Sequence, residues 1–335
     1  MKKILSLAAA MAATAAYAAP YHVTAPMADD AEGAMVYLVN YDTGAGIDSV
    51  LVADGVAEFR GTIDEPVLAR LLLDGERYAT FILEEGGTAI GKDRNASGSM
   101  LNDRLNQIGD SASALAMRFR TAPDEATQQK IYAAYEALMQ REMADNIDNP
   151  IGYYLFLQQA GGMGRDEFAA ALLKYPELGK YERVRRYADS FSRQEATAEG
   201  KPFTDFEIEY QGTKHRLSDV VGRGDYVLVD YWASWCGPCI RQTAVIKELY
   251  NEFKDKGLKV LGVAVWDEPD ATLAAIKKHD LPWECWLNGG NVPTDLYGIM
   301  GIPCIILYGP DGTIISRDKQ DDELRAAVRA AMAGK

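Results

Sequence analysis

Histidine and cysteine are scarce in this chain: 335 residues contain three histidines and four cysteines. His22, His215 and His279 show neither metal-ligand nor triad spacing and are expected at the surface. Four cysteines are too few to staple a chain of this length into a disulfide scaffold, which directs attention to redox chemistry at one pair. Positive charge is also in deficit, with 35 Lys and Arg against 49 Asp and Glu and a formal charge of −14. Such a chain is poorly suited to nucleic acid or to an anionic membrane surface. Beyond the first twenty residues no apolar run reaches the length a bilayer needs, so no membrane span is expected in the mature chain.

What is present begins with Met1-Lys2-Lys3, a short alanine-rich run, and Ala16-Tyr17-Ala18 ahead of Ala19-Pro20. A basic start, a short apolar stretch and an A-x-A site describe a secretory signal peptide over residues 1–18, cut after Ala18. No cysteine stands at the cut, so a lipid anchor is not indicated. The 48% hydrophobic and 25% charged composition allows two or three domains with full cores.

Residues 30–93 have the texture of a small antiparallel β domain. Ala34–Val39, Ser49–Val52, Val56–Phe59, Val67–Leu73 and Tyr78–Leu83 are short apolar runs. Asp54-Gly55, Asp74-Gly75 and Glu85-Gly86-Gly87 punctuate them as turns. Residues 94–195 turn helical, with apolar positions three and four apart in Ile131-Tyr132-Tyr135-Leu138-Met139 and in Phe168-Leu172-Leu173. Asn149-Pro150, Gly161-Gly162 and Tyr175-Pro176 divide this stretch into four or five helices. Tyr153, Tyr154 and Phe156 read as helix core, and Lys180, Arg183, Arg185 and Arg186 as a solvated or salt-bridged basic face. The small polar linker Ala196–Pro202 then leads into a third domain over residues 199–335.

That domain alternates β and α: Tyr226–Trp232, Pro238–Lys256, Leu258–Val265, Asp270–His279, Ile305–Tyr308, Thr313–Ile315 and Asp321–Met332. After its first apolar strand comes Trp235-Cys236-Gly237-Pro238-Cys239, running into a helix. Unpaired N–H groups and the dipole at a helix N-terminus favour thiolate over thiol, which marks Cys236 as the attacking sulfur. Cys239 lies one turn along the same helix and can resolve a mixed disulfide at Cys236, so the two form the candidate redox disulfide. The competing reading is a zinc half-site completed by Cys285 and Cys304, which do not form a second C-x-x-C. No metal or cofactor is expected.

Val-Asp230-Tyr-Trp232-Ala-Ser-Trp235-Cys236-Gly237-Pro238-Cys239 closely resembles the thioredoxin signature, and Tyr297–Pro303 resembles that family's cis-proline loop. The resemblance covers roughly Lys201 to the C-terminus. The hairpin-like extension Phe203–Asp219 is similar to that of exported thioredoxins of the TlpA and ResA type, which are related to the AhpC/TSA group. I-D-S-V, D-G-V-A-E-F-R-G and F-I-L-E-E-G-G resemble the N-terminal β domain, DUF4369-like, of exported Bacteroidetes proteins. The resemblance implies an α/β thioredoxin fold at the C-terminus, preceded by the β domain and a helical segment. It implies a periplasmic thiol:disulfide oxidoreductase of a Gram-negative bacterium, a Bacteroidetes, reducing protein or peptide disulfides and reset by a membrane thiol/disulfide electron donor. It also implies that Asp230 is a buried carboxylate that accepts the Cys239 proton, and that Ile302-Pro303 is cis. By the same resemblance Trp235, Gly237, Pro238, Ile302 and Pro303 meet substrate, with Ile302 offering its backbone to an extended segment.

The chain departs from that pattern in places. Ala244 stands where thioredoxins usually carry a kinking proline, and Gln242 where TlpA and ResA types often carry an acid. Cys304 replaces a usual threonine, and three readings stay open for it: bystander, partner of Cys285, or extra redox residue. A disulfide isomerase, a thiol peroxidase (which usually has threonine at the Ala233 position) and a binding or assembly module with a vestigial dithiol are the competing functions. Homo-oligomerisation through the N-terminal domains is left open.

Overall fold

The computed structural model describes residues 18–333, so the expected leader lies, apart from Ala18, outside the described residues. The chain forms two compact units that divide between Val184 and Arg185. Among the described residues no helix is long and apolar enough to cross a membrane.

Among the described residues of the first unit, eight strands form two sheets. They are β1 (Ala19–Pro26), β2 (Met35–Asn40), β3 (Gly46–Leu51), β4 (Val56–Ile63), β5 (Val67–Leu73), β6 (Glu76–Leu83), β7 (Gly86–Ile90) and β8 (Ala96–Ser97). Their orders are β4-β1-β7-β8 and β3-β2-β5-β6. Along β1, β2 and β4 alternate side chains are buried, as strand geometry allows: Val23 and Ala25, Val36 and Leu38, Ala57 and Phe59 enter one core, joined by Ala79 and Phe81 from β6. Two expectations need correction. The sheet begins at Ala19 rather than near residue 30, because β1 pairs along its whole length with β4. Its two prolines, Pro20 and Pro26, disguise it in the sequence; they sit outside the Tyr21–Thr24 stretch that β7 also pairs, where a missing N–H is tolerated. That β1–β7 pairing is parallel, so Gly86-Gly87 opens a strand rather than closing a turn.

Five helices follow: α1 (Met100–Arg120), α2 (Glu125–Asp145), α3 (Pro150–Ala160), α4 (Arg165–Lys174) and α5 (Glu182–Ala196). Asn149 accepts from Ile151 N at 2.9 Å with Pro150 in the first turn, which is how that dipeptide starts a helix. Tyr153 and Phe156 are fully buried, as read, while Tyr154 is half-buried. Asp42 holds this part together. Its carboxylate accepts from Tyr153 Oη at 2.8 Å and from the N–H groups of Glu182 and Arg183 at 2.7 and 2.9 Å. Arg183 is therefore not part of a purely solvated basic face. Its Nε donates to Tyr41 O at 2.6 Å and its guanidinium lies 4.4 Å from the Tyr41 ring centroid, where Arg70 also stacks.

The second unit takes in the end of α5, the hairpin β9 (Glu207–Tyr210) and β10 (Thr213–Arg216), and then β11 (Tyr226–Trp232), α6 (Gly237–Phe253), β12 (Leu258–Ala264) and α7 (Pro269–Lys278). It closes with β13 (Glu284–Trp286), α8 (Val292–Tyr297), β14 (Cys304–Tyr308), β15 (Ile314–Arg317) and α9 (Asp321–Met332). Strand order is β13-β12-β11-β14-β15, parallel across the first three and antiparallel across β14 and β15. Helices α6 and α9 cover one face with Val245, Ile246, Leu249, Leu324 and Val328; Phe206, Ile208, Tyr297 and Ile299 cover the other. This is the thioredoxin-like α/β arrangement. β13 and α8 are the elements that the sequence reading did not resolve, being only three and six residues long.

Asp42→Ala is expected to destabilise the first unit by on the order of 2–3 kcal/mol, because a buried phenol and two helix N–H groups lose their acceptor together. Asp42→Asn should cost less. Amide exchange across α3 during mild urea titration measures this, and an unchanged profile for Asp42→Ala would refute it.

Candidate active site

β11 is the central strand of its sheet, and its last six residues are all buried. The chain leaves it at Trp232, turns through Ala233-Ser234-Trp235, and re-enters regular structure as α6 with Cys236 at the N-cap. The turn is held by Asp267, whose carboxylate accepts from Ser234 N at 2.7 Å, Ser234 Oγ at 2.9 Å and Thr272 Oγ1 at 2.7 Å. Cys236 and Cys239 are joined by a disulfide, with Cα atoms 5.2 Å apart. The Cys239 N–H donates to Cys236 Sγ at 3.1 Å, so a helix-terminal donor already points at the sulfur that would carry negative charge after reduction.

The rim is uneven. Cys239 is fully buried and Cys236 nearly so, while Trp235 is 62% exposed with its indole N–H donating to Trp266 O at 2.9 Å. Gly237 and Pro238 are exposed beside it. The Ile302–Pro303 peptide is cis, and Ile302 O lies 3.7 Å from Cys236 Sγ. The arrangement leaves Cys236 just below the surface, flanked by the exposed Trp235 and by the Ile302 carbonyl.

Beneath it, Asp230 projects from β11 on the same face as Trp232, two residues on. It is 2% exposed, and its Oδ1 has no hydrogen-bond partner among the described residues; neither has the Trp232 indole N–H. Burial pushes the Asp230 carboxyl up to about 7. Asp230, Gly262 and Cys285 occupy one row across β11, β12 and β13. A side chain on Gly262 would fall 2.7 Å from Cys285 Sγ and 3.0 Å from Trp232 Nε1, so only glycine lets these groups close over the strand.

The two free cysteines differ in kind from the pair. Burial, then the nearby Asp230 charge, pushes the Cys285 thiol up to about 12. Burial, with Asp318 adding to it, raises Cys304 well above its ordinary value. They also project from opposite faces: Cys285 is in register with Gly262, Cys304 with Tyr231. The reading of Cys304 as a partner of Cys285 is thereby corrected, since the sheet itself stands between them.

Sequence reasoning missed Asp267, which is 31 residues from Cys236 along the chain; a Trp-Asp pair just past β12 is the only signal. Gln242, at the position of the lost acid, is buried and serves α9 instead. Its amide donates to Asp321 Oδ1 at 2.8 Å and its carbonyl accepts from Asp321 N at 3.2 Å. The histidines are partly exposed at the surface, with His22 on Glu58 at 2.7 Å and His215 stacked on Trp286.

Residues 200–317 match the AhpC/TSA family, and residues 21–105 match a domain of unknown function, DUF4369. Thiol-disulfide oxidoreductase ResA of Bacillus cereus is 28% identical over 134 residues, 40% of this chain and 76% of its own length. ResA of Bacillus subtilis is 26% identical over 130 residues, 38% of this chain and 72% of its own. Among solved structures, the thioredoxin domain of a thiol-disulfide oxidoreductase from Bacteroides vulgatus shares 30% identity over 40% of this chain and 96% of that one, at a TM-score of 0.35. A thiol:disulfide interchange protein from Bacteroides sp. shares 30% identity over 42% of this chain and 93% of that one, at a TM-score of 0.37.

Asp230 binds its proton more tightly in the folded chain than in the unfolded one. Its contribution to stability is therefore fully present near pH 4 and is lost as pH rises toward 7, a change on the order of 4 kcal/mol. Asp230→Asn is expected to raise the urea midpoint at pH 8 and to leave it nearly unchanged at pH 4. Equal effects at the two pH values would rule out a buried, titrating carboxyl.

Proposed function

We propose that this chain, in which a domain of the AhpC/TSA family and thioredoxin-like fold follows a DUF4369 domain, is a thiol:disulfide oxidoreductase that reduces protein or peptide disulfides. The observation that carries the reading is the Cys239 N–H aimed at Cys236 Sγ, on a strand-to-helix run that also holds the buried Asp230, whose Oδ1 lacks a partner among the described residues. The names of the ResA relatives point the same way.

In the reduced enzyme the helix-terminal N–H groups stabilise Cys236 as thiolate. Cys236 attacks one sulfur of the substrate disulfide, forming a mixed disulfide and releasing the other sulfur as thiolate, which takes a proton from water. Asp230, in the fraction of molecules where its carboxyl is ionised, accepts the Cys239 proton. Cys239 then attacks Cys236 Sγ and expels the second substrate sulfur, which is protonated in turn. The substrate has gained two electrons and two protons, and the enzyme is left as the disulfide described above. A membrane thiol/disulfide donor would return those electrons. Trp235, Gly237 and Pro238 would line the approach, and Ile302 ahead of Pro303 would offer its carbonyl edge to an extended segment. The leader-like residues 1–18 support export to the periplasm of a Gram-negative bacterium. The first unit is assigned no chemical step.

Cys236→Ser should abolish insulin-disulfide reduction, whereas Cys239→Ser should accumulate a mixed disulfide with substrate, visible by mass spectrometry. The Gly-Pro between the cysteines places the expected potential near the reducing end, about −270 mV, by titration in dithiothreitol or glutathione buffers. A value near about −120 mV would reverse the direction assigned, and insulin reduction by Cys236→Ser would overturn the mechanism.

A further inference from the structure

The last turn of α8 is capped from outside the helix. Its final carbonyls have no partner within it, and side chains distant in sequence supply them. Arg193 Nη1 donates to Asp295 O at 2.7 Å, Arg317 Nη2 to Tyr297 O at 2.8 Å, and Gln194 Nε2 to Gly298 O at 2.8 Å. Thr197 Oγ1 reaches Tyr297 O at 3.4 Å and itself accepts from Arg317 Nη1 at 2.5 Å. Gly298 adopts a left-handed φ of 62°, and a side chain there would strike the Ser190 carbonyl and crowd Gln194. Ser190, Arg193 and Gln194 all belong to the second half of α5, and Thr197 follows it at once.

What this cap holds is the approach to the dithiol. From Gly298 the chain runs through Ile299, Met300 and Gly301 to the cis Ile302–Pro303 peptide, whose carbonyl lies 3.7 Å from Cys236 Sγ. At the far end the run is fixed by β14, with Cys304 in register with Tyr231. At the near end it is fixed by α8, which α5 and Arg317 hold in place. A short segment anchored at both ends presents a preformed edge to a peptide, whereas one released at one end must be ordered on binding, at an entropic cost.

We propose that Arg193 and Gln194 are positioning residues for polypeptide substrates, keeping the Ile302 edge at its working height over Cys236 by capping α8. This rests on the thiol:disulfide reading given above. A polypeptide disulfide needs that edge, while a small aromatic disulfide needs only Cys236. Loss of the cap should therefore separate the two substrates.

The test is the full-length Arg193→Ala/Gln194→Ala variant, compared with Arg193→Lys alone. Amide exchange in the peptide spanning Ile299–Cys304 should quicken about tenfold in the double variant. The KM for insulin should rise about fivefold with kcat little changed, while reduction of dithiobis(nitrobenzoate) should stay within about twofold of the parent. Arg193→Lys, which keeps a donor, should lie close to the parent in both readouts. Unchanged exchange would overturn the proposal, as would equal losses on the two disulfides. Should the parent reduce neither disulfide, the thiol:disulfide reading is what fails, and the proposed substrate role falls with it. Exchange would then report only whether α5 caps α8.

Discussion

The position of β11 between two hydrogen-bonded neighbours is the constraint on which the site depends. Its backbone groups are satisfied by β12 on one side and β14 on the other, so its end cannot shift without breaking both ladders. Three things therefore emerge at one edge of the sheet. Cys236 follows the end of β11, Asp267 follows the end of β12 and reaches back to Ser234, and Pro303 precedes the start of β14. Parallel pairing brings the first two together; antiparallel pairing brings the third. Strand register brings Ile302 O close to Cys236 Sγ, and the loop leading into Pro303 is anchored at its other end by α8.

The four cysteines are sorted by what surrounds each sulfur. Cys236 meets a helix-terminal N–H, which lowers the cost of negative charge. Cys285 and Cys304 meet apolar side chains and carboxylates, which raise that cost. One residue type thus meets opposite electrostatic surroundings within the same domain. Asp230 bears on this division too: it precedes Cys236 on the same strand-to-helix run, and its charge adds to burial in raising the Cys285 thiol. Gly262 makes the second effect possible by leaving room for Cys285 over the strand.

Legibility in the sequence followed distance along the chain. Asp230, Cys236 and Cys239 fall within ten residues of one another, so a strand, a turn and a helix start could be read together with the chemistry they present. Val67–Leu73 and Asp321–Met332 were legible end to end, because a short apolar run bounded by turn residues and a helical periodicity are both local signals. β1 was not, since two prolines hid a strand whose partners are β4 and β7, far along the chain. Gln242 was misleading in a different way. Its neighbours suggest an active-site position, yet its amide is spent on the start of α9.

By itself the sequence determined the class of chemistry, the candidate cysteine pair, the proline near it and the succession of a β region, a helical region and an α/β domain. These depend on residue type, periodicity and spacing, which survive without coordinates. The tertiary structure alone decided that Asp230 Oδ1 lacks a hydrogen-bond partner among the described residues, that Asp267 holds the dithiol turn, that Cys285 and Cys304 lie on opposite faces, and that α5 caps α8. Each of those is a meeting of groups from separate strands or helices. Register and packing create such meetings, and no local pattern encodes them.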